Sequence, residues 1–206
     1  MVDVAEIVNS LMGSITYILS IEGSDYCVLI DCGYSEELIP VLKRLDKRVK
    51  AVYLTHAHYD HVYGLNMLLN HYPEALVYTT KDGSEALTDV KKNFSKYHPE
   101  LKPFVFQHPD NVRMLSEGDM ELFPGVSIQI LFTPGHDVSC CSFVVENNLF
   151  TGDAYIPGIK TIMNFPRSNR NDAKLSLEKL MAKEKDGYKV CPGHDISGLS
   201  AYSIKL

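Results

Sequence analysis

The sequence is short of basic charge. It holds 20 Lys and Arg against 26 Asp and Glu, a net charge of −6 with neutral histidines. Polyanion binding needs Lys and Arg to displace condensed counterions, so nucleic acid is not expected as the main partner. No apolar run approaches the roughly 20 residues that a membrane-spanning helix needs. The opening residues, Met1-Val2-Asp3-Val4-Ala5-Glu6, carry no basic stretch leading into an apolar one. Neither a secretory leader nor a membrane partner is therefore expected. Cysteine is sparse as well. The count of five is odd, and none forms a C-x-x-C pair. Reduced thiols in a cytoplasmic protein are expected, with Cys27, Cys32, Cys140, Cys141 and Cys191 read as core. The final Ile204-Lys205-Leu206 does not match the S-K-L peroxisomal address.

What is present is an ordinary globular mixture, 45% hydrophobic and 22% charged over 206 residues. One domain over residues 1–206 is expected, with a core that needs no disulfide staples. Strands are predicted at Ser14 to Ile21 and Tyr26 to Asp31, joined as a hairpin, and at Val49 to Leu54 and Leu76 to Thr79. Further strands are predicted at Met120 to Phe123, Val126 to Phe132, Cys141 to Glu146, Asn148 to Thr151 and Tyr188 to Cys191. Helices are predicted after Ser35, from about Gly64 to His71, over Ser84 to Phe94, and over Ala173 to Lys183 with Asp172 as cap. Residues 81–117 hold three prolines within eleven residues, Pro99, Pro103 and Pro109. That stretch reads as a surface excursion over the site. Two groups of strands, each followed by helices, suit two packed sheets with helices outside, or a doubly wound sheet.

The sharpest local feature is Thr55-His56-Ala57-His58-Tyr59-Asp60-His61, directly after a predicted strand. Three of the eight histidines of the chain fall within six positions there. In an extended segment His56 and His58 point to the same side and can share one metal ion. Asp60 and His61 lie past the bend and can reach a second. Imidazole and carboxylate ligands suit zinc, iron or manganese. Three more ligand-type residues stand in glycine-containing turns at strand ends: Thr133-Pro134-Gly135-His136, Thr151-Gly152-Asp153 and Cys191-Pro192-Gly193-His194.

H-x-H-x-D-H, T-P-G-H, T-G-D and P-G-H in this order resemble the metallo-β-lactamase superfamily, and within it the glyoxalase-II-like hydrolases. The resemblance runs from about Ser14 to His194. It implies an α/β fold, an αββα sandwich with two mixed sheets face to face and metals at one edge. It further implies that His56, His58 and His136 hold one ion, that Asp60, His61 and His194 hold another, and that Asp153 bridges the two. The implied cofactor is a pair of divalent ions, zinc with iron or manganese as alternatives, and the implied partner is a small-molecule substrate. A bridging hydroxide, available at neutral pH because coordination lowers the pKa of water to about 7, would attack a thioester or ester carbonyl. Asp60 would take up the proton as the intermediate collapses. Lactonase, phosphodiesterase or nuclease activity, and a non-catalytic metal-binding module are the alternatives.

Three departures bear on substrate. His61 stands where true lactamases of the family carry a basic residue, which favours the thioesterase, lactonase or nuclease type. Asp137-Val138-Ser139-Cys140 replaces the family's usual Thr and Gly-Ser after T-P-G-H. Twelve residues follow His194, so the helical glutathione-gripping domain of a full glyoxalase II is not expected. Tyr155, two residues after Asp153, sits near the position where some lactonases of the superfamily carry a carbonyl-holding tyrosine. Arg167 and Arg170 are candidates to receive a substrate carboxylate. Asp31 is a candidate to hold a ligand imidazole from behind. His71, His98 and His108 lie outside the motifs and read as surface residues.

Overall fold

The computed structural model describes residues 1–195; the terminal Ile204-Lys205-Leu206 lies outside them. The chain begins with β1 (Val2–Val8), β2 (Ile15–Ile21) and β3 (Tyr26–Ile30). It then alternates α1 (Leu38–Arg44), β4 (Arg48–Tyr53), α2 (Tyr59–Val62), α3 (Leu65–His71), β5 (Leu76–Thr79), α4 (Lys81–Leu87) and β6 (Val112–Met114). The second half contributes β7 (Gly118–Phe123), β8 (Val126–Phe132), β9 (Cys141–Val145), β10 (Asn148–Gly152), α5 (Arg170–Lys185) and β11 (Lys189–Pro192).

Two mixed sheets result. One runs β1-β2-β3-β4-β5-β6 and the other β11-β10-β9-β8-β7. In the first sheet β1, β2 and β3 are antiparallel, while β3 through β6 are parallel and joined by helical crossovers. In the second, β7 through β10 are antiparallel, and α5 carries the chain across to the parallel β11. The central strands of the first sheet are buried on both faces, which explains their continuous apolar runs. Tyr17, Leu19, Val28 and Ile30 face the inter-sheet core with Ile128, Phe143 and Phe150. Their neighbours Ile18 and Leu29 face outward, against Leu38 and Leu42 of α1 and Leu65, Leu68 and Leu69 of α3. Val144 and Leu149 on the far side of the second sheet pack on Leu180 of α5. The order of layers is helix, sheet, sheet, helix, as the motif order implies.

Several boundaries differ from the sequence expectations. β1 was not expected; it pairs along its whole length with β2, from Val2↔Ile21 to Val8↔Ile15. It is an edge strand with few buried side chains, so its apolar pattern is weak. The helix expected over Ser84 to Phe94 begins earlier, at Lys81, because the Thr80 side chain accepts from the Gly83 amide, and it ends at Leu87. Asn169, not Asp172, caps α5. The last strand is an edge strand, with only Cys191 buried. The 81–117 stretch is less superficial than its prolines suggest. Phe104 and Phe106 enter the core under the first sheet, and β6 extends that sheet by one strand. No helix among the described residues is long and apolar enough to cross a membrane.

Candidate metal centre

The ligand-type residues meet at the C-terminal ends of strands from both sheets, where side chains from separate strands reach one crevice. β4 leads into Thr55-His56-Ala57-His58, and α2 begins at once with Tyr59. The turns after β8, β10 and β11 supply His136, Asp153 and His194. Two glycines make this convergence possible. Gly135 has φ +142, and a side chain there would strike the Ala173 backbone, so α5 could not approach the His136 turn. A side chain at Gly193 would strike Asp153 Oδ1.

The seven residues fall into three overlapping groups, each able to bring its donor atoms within 4.8 Å of one another: His56, His58 and His136; His56, His61 and Asp153; and Asp60, His61 and His194. His58 Nδ1 lies 3.0 Å from His136 Nε2, and His61 Nε2 lies 3.2 Å from His194 Nε2. Asp153 Oδ2 is 3.5 Å from His136 Nε2 and 3.3 Å from His194 Nε2, so one carboxylate oxygen spans the first and last groups.

The groups behind the rings decide what they present inward. His61 Nδ1 is 2.8 Å from Asp31 Oδ2, His136 Nδ1 is 2.8 Å from the Ile162 carbonyl, and His194 Nδ1 is 3.1 Å from the Met12 carbonyl. These partners only accept, so each ring donates an N–H outward, and the other ring nitrogen, once unprotonated, turns a lone pair inward. Thr55 Oγ1 donates to Asp31 Oδ2 at 2.7 Å, which leaves it to accept from His56 Nδ1 at 3.1 Å. His56 Nε2 is then buried with no hydrogen-bond partner, as is Asp153 Oδ1. Lone pairs facing one another at about 3 Å repel unless a cation or a proton lies among them. The donor set therefore fits divalent metal ions. Asp31 holds its place with φ +59 and also accepts from the Thr55 amide at 2.7 Å.

The electrostatics divide the cluster. Burial pushes His56 well below the usual imidazole range, and the neighbouring His61 and His58 push the same way. Burial also lowers His136. Burial opposes the charged form of His61, but Asp60, Asp153 and Asp31 overcome it and hold the ring well above its ordinary value. His194, likewise desolvated, is raised to about 9 by Asp153 and Asp60. Asp60 and Asp153 are lowered in spite of burial by His61 and His194, so both are anionic.

Other expected residues are placed elsewhere. Tyr155 turns away from the centre and donates to Glu184 on α5 at 2.6 Å. Arg167 is committed to Asp137, with Nε 2.9 Å from Oδ2 and an η-nitrogen 3.2 Å from Oδ1. Arg170 borders a neighbouring cavity of about 590 Å³ with Lys160 and Asn164. None of the three lines the cavity over the histidines. His98, read as a surface residue, does line that cavity and pairs with Tyr59 and Glu100. The five cysteines are free and buried, and burial raises the Cys191 thiol to about 11.

Asp137 was not singled out from the sequence. Its Oδ2 faces His58 Nε2 at 3.7 Å, behind the ring's inward Nδ1, while Ser139 and Arg167 satisfy the rest of the carboxylate. Its place directly after His136, with Ser139 two residues on, was the available signal. Phe94 and Phe165 were also missed. They stand over His58 with ring centroids 4.8 and 5.1 Å from it, and loop aromatics have no periodic signature.

A sequence model described as the metallo-beta-lactamase superfamily matches residues 11–194. A hydroxyacylglutathione hydrolase of Aeromonas hydrophila subsp. hydrophila is 30% identical over 137 residues, covering 66% of this chain and 45% of that protein. The chain thus spans about half the length of the hydroxyacylglutathione hydrolase it matches. A probable metallo-hydrolase of Streptococcus pyogenes serotype M6 is 27% identical over 192 residues, covering 91% of this chain and 81% of the relative. Among solved structures, the BLEG-1 B3 metallo-beta-lactamase superposes with a TM-score of 0.85 at 22% identity, covering 94% of this chain and 92% of that one. A protein in a di-iron-bound form, TTHA1623, gives a TM-score of 0.77 at 24% identity over 93% and 92% of the two chains. These structural likenesses carry the fold, and the profile match over nearly the whole chain carries the kinship: this protein belongs to the metallo-beta-lactamase superfamily.

Proposed function

We propose that this chain is a hydrolase that uses two divalent metal ions to cleave a small thioester or ester. The observation that carries the reading is the inward orientation of the ligand rings, fixed from behind, at the floor of a cavity of about 640 Å³. His56, His58 and His136 would hold one ion, Asp60, His61 and His194 the other, with Asp153 shared. Zinc suits this donor set, and so do iron and manganese. Ions bound there supply Lewis acidity toward a carbonyl and bring the pKa of water toward neutrality.

The chain's own residues do the rest. Asp31, Thr55 and the Ile162 and Met12 carbonyls keep the rings in the required tautomers without reorganisation during turnover. Asp60 borders the cavity as a carboxylate and is placed to receive the proton released as the acyl bond breaks. Phe94, Phe165 and Ile162 exclude water from the space above the ligands. The hydroxyacylglutathione hydrolase relatives support a thioester over other carbonyl substrates. A phosphodiester would require cationic approach groups, and no Lys or Arg lines the cavity among the described residues. Tyr155 is turned to Glu184 and does not line the cavity, so it lends the lactonase alternative no support.

The test is turnover by protein purified without chelator, loaded with zinc, iron or manganese, against a panel of thioester, lactone and phosphodiester. Thioester hydrolysis that disappears in His58→Ala is expected. Full metal occupancy with no turnover of any member would indicate a metal-binding module.

A further inference from the structure

The cavity above the ligands is walled mainly by apolar and aromatic side chains. Its floor and rim carry His58, Asp60, His136, Asp153 and His194, with Tyr59 and His98 to one side. Its walls are Met12, Phe94, Tyr97, Ile162, Phe165 and Pro166. Among the described residues, no Lys or Arg reaches it. The Arg167 guanidinium is engaged by Asp137 and the Asp82 carbonyl. A carboxylate or phosphate substituent packed against the aromatic wall would be desolvated there with no Lys or Arg among the described residues to pair with it.

One wall is held in place at a conformational cost. Phe94 has φ +65 and ψ −2, a left-handed conformation that is an outlier for a bulky side chain. Its two neighbours are fully buried polar residues that fix the backbone on either side. Asn93 Nδ2 donates to the Ala86 and Phe104 carbonyls at 3.1 and 3.0 Å, and Asn93 Oδ1 accepts from the Ser95 amide at 3.0 Å. The Asn93 carbonyl accepts from the Tyr59 amide at 2.9 Å, at the start of the helix that carries Asp60. Ser95 Oγ accepts from the Phe104 amide at 2.9 Å. Strain of this kind persists only where its surroundings over-determine it, and such positions cluster at functional sites. Its effect is to stand the Phe94 ring edge-on to His58 and 4.7 Å from Phe165. Phe165 closes the wedge, 5.4 Å from His136 and 5.1 Å from His58. Its loop is tied down by Ser168, whose amide donates to the Phe165 carbonyl and whose hydroxyl donates to the His136 carbonyl.

We propose that the substrate group held beside the ligand cluster is an uncharged, apolar acyl chain or ring, and that Phe94, with Phe165 behind it, is the residue that selects it. This rests on the hydrolase reading above and narrows its substrate class.

The experiment compares acetyl, hexanoyl, phenylacetyl and succinyl thioesters of N-acetylcysteamine on the zinc-loaded protein. With the leaving group constant, only the acyl part varies. The expected result is at least about tenfold higher kcat/KM for hexanoyl and phenylacetyl than for acetyl, since each well-placed apolar increment is worth that order, with succinyl the poorest. Phe94→Ala is expected to raise KM for hexanoyl about tenfold more than KM for acetyl, with zinc content retained. Phe94→Leu, which keeps an apolar wall, is expected to retain hexanoyl and lose phenylacetyl. A purely structural Phe94 would instead lower all four substrates together. Calorimetric titration of hexanoate and succinate into the zinc-loaded protein separates the two readings. Tighter hexanoate, weakened in Phe94→Ala and retained in Phe94→Leu, upholds the acyl pocket even if no thioester is turned over, in which case the hydrolase reading alone falls. Preference for succinyl over hexanoyl, in turnover or in binding, overturns the proposal.

Discussion

The two ends of the donor cluster are built on different electrostatic plans. His56, His58 and His136 form an all-imidazole group, deeply buried, in which burial drives protons off His56 and His136. Asp60, His61 and His194 form a mixed group in which carboxylates overcome burial and keep His61 and His194 protonated when no metal is bound. Within the first group His56 and His136 are therefore held toward the neutral, metal-binding form. The second must release protons to bind an ion. Asp153 belongs to both plans, since one oxygen lies within 3.5 Å of His136 and 3.3 Å of His194. Burial and charge, acting on the same residue type a few ångströms apart, thus prepare the first group and proton-load the second.

The strongest way to break this comparison is to remove what the two groups share. Asp153→Asn keeps the shape and loses the charge. It is expected to empty one of the two metal positions and to lower hydrolysis at least about 100-fold, beyond the range for residues that only support a ligand. Near-normal turnover with two ions retained would show that Asp153 is not shared. A smaller effect should fall on the first group alone. Asp137→Asn removes the carboxylate facing His58 Nε2, and it should weaken the first ion about 10- to 100-fold in a competition titration while the second is unchanged. Equal weakening of both ions would mean that Asp137 serves the fold and not His58. The smallest effect sharpens the contrast. With His194 raised to about 9 in the metal-free protein and His61 also raised, displacing these protons should make affinity at the second group rise at least about tenfold per pH unit between pH 6 and 8. Binding at the first group should vary less over that range, because burial shifts His56 and His136 toward the unprotonated form. Parallel pH profiles would erase the distinction.

The sequence made these two plans legible to different degrees. Four of the seven donors sit within six residues of one turn, so His56, His58, Asp60 and His61 stand out by crowding alone. His136, Asp153 and His194 are spread over the second half, and each is one polar residue in a glycine turn; only their order and their resemblance to a family pattern joined them. Buried strands such as β4, β5 and β8 were readable because both faces are apolar or alternate cleanly, whereas β1 and β11 lie at sheet edges and bury too little to leave a pattern. Support from behind a ring depends on contacts between residues far apart in the chain. Asp31 reaches His61 across 30 positions and could be suspected from its strand end, but Arg167 finds Asp137 across 30 positions with nothing local to announce it. Phe94 escaped notice because its role comes from backbone strain imposed by Asn93 and Ser95, and strain has no composition.

The central claim is that these seven side chains form two adjacent metal positions joined by the shared Asp153. Its most direct test is metal content per chain, measured after saturation and desalting, for the unaltered protein, His56→Ala and His194→Ala. The account predicts about two ions in the first and about one in each variant, the ion lost from His194→Ala being the one whose binding depends on pH. A single ion in the unaltered protein, retained in His194→Ala, would contradict it.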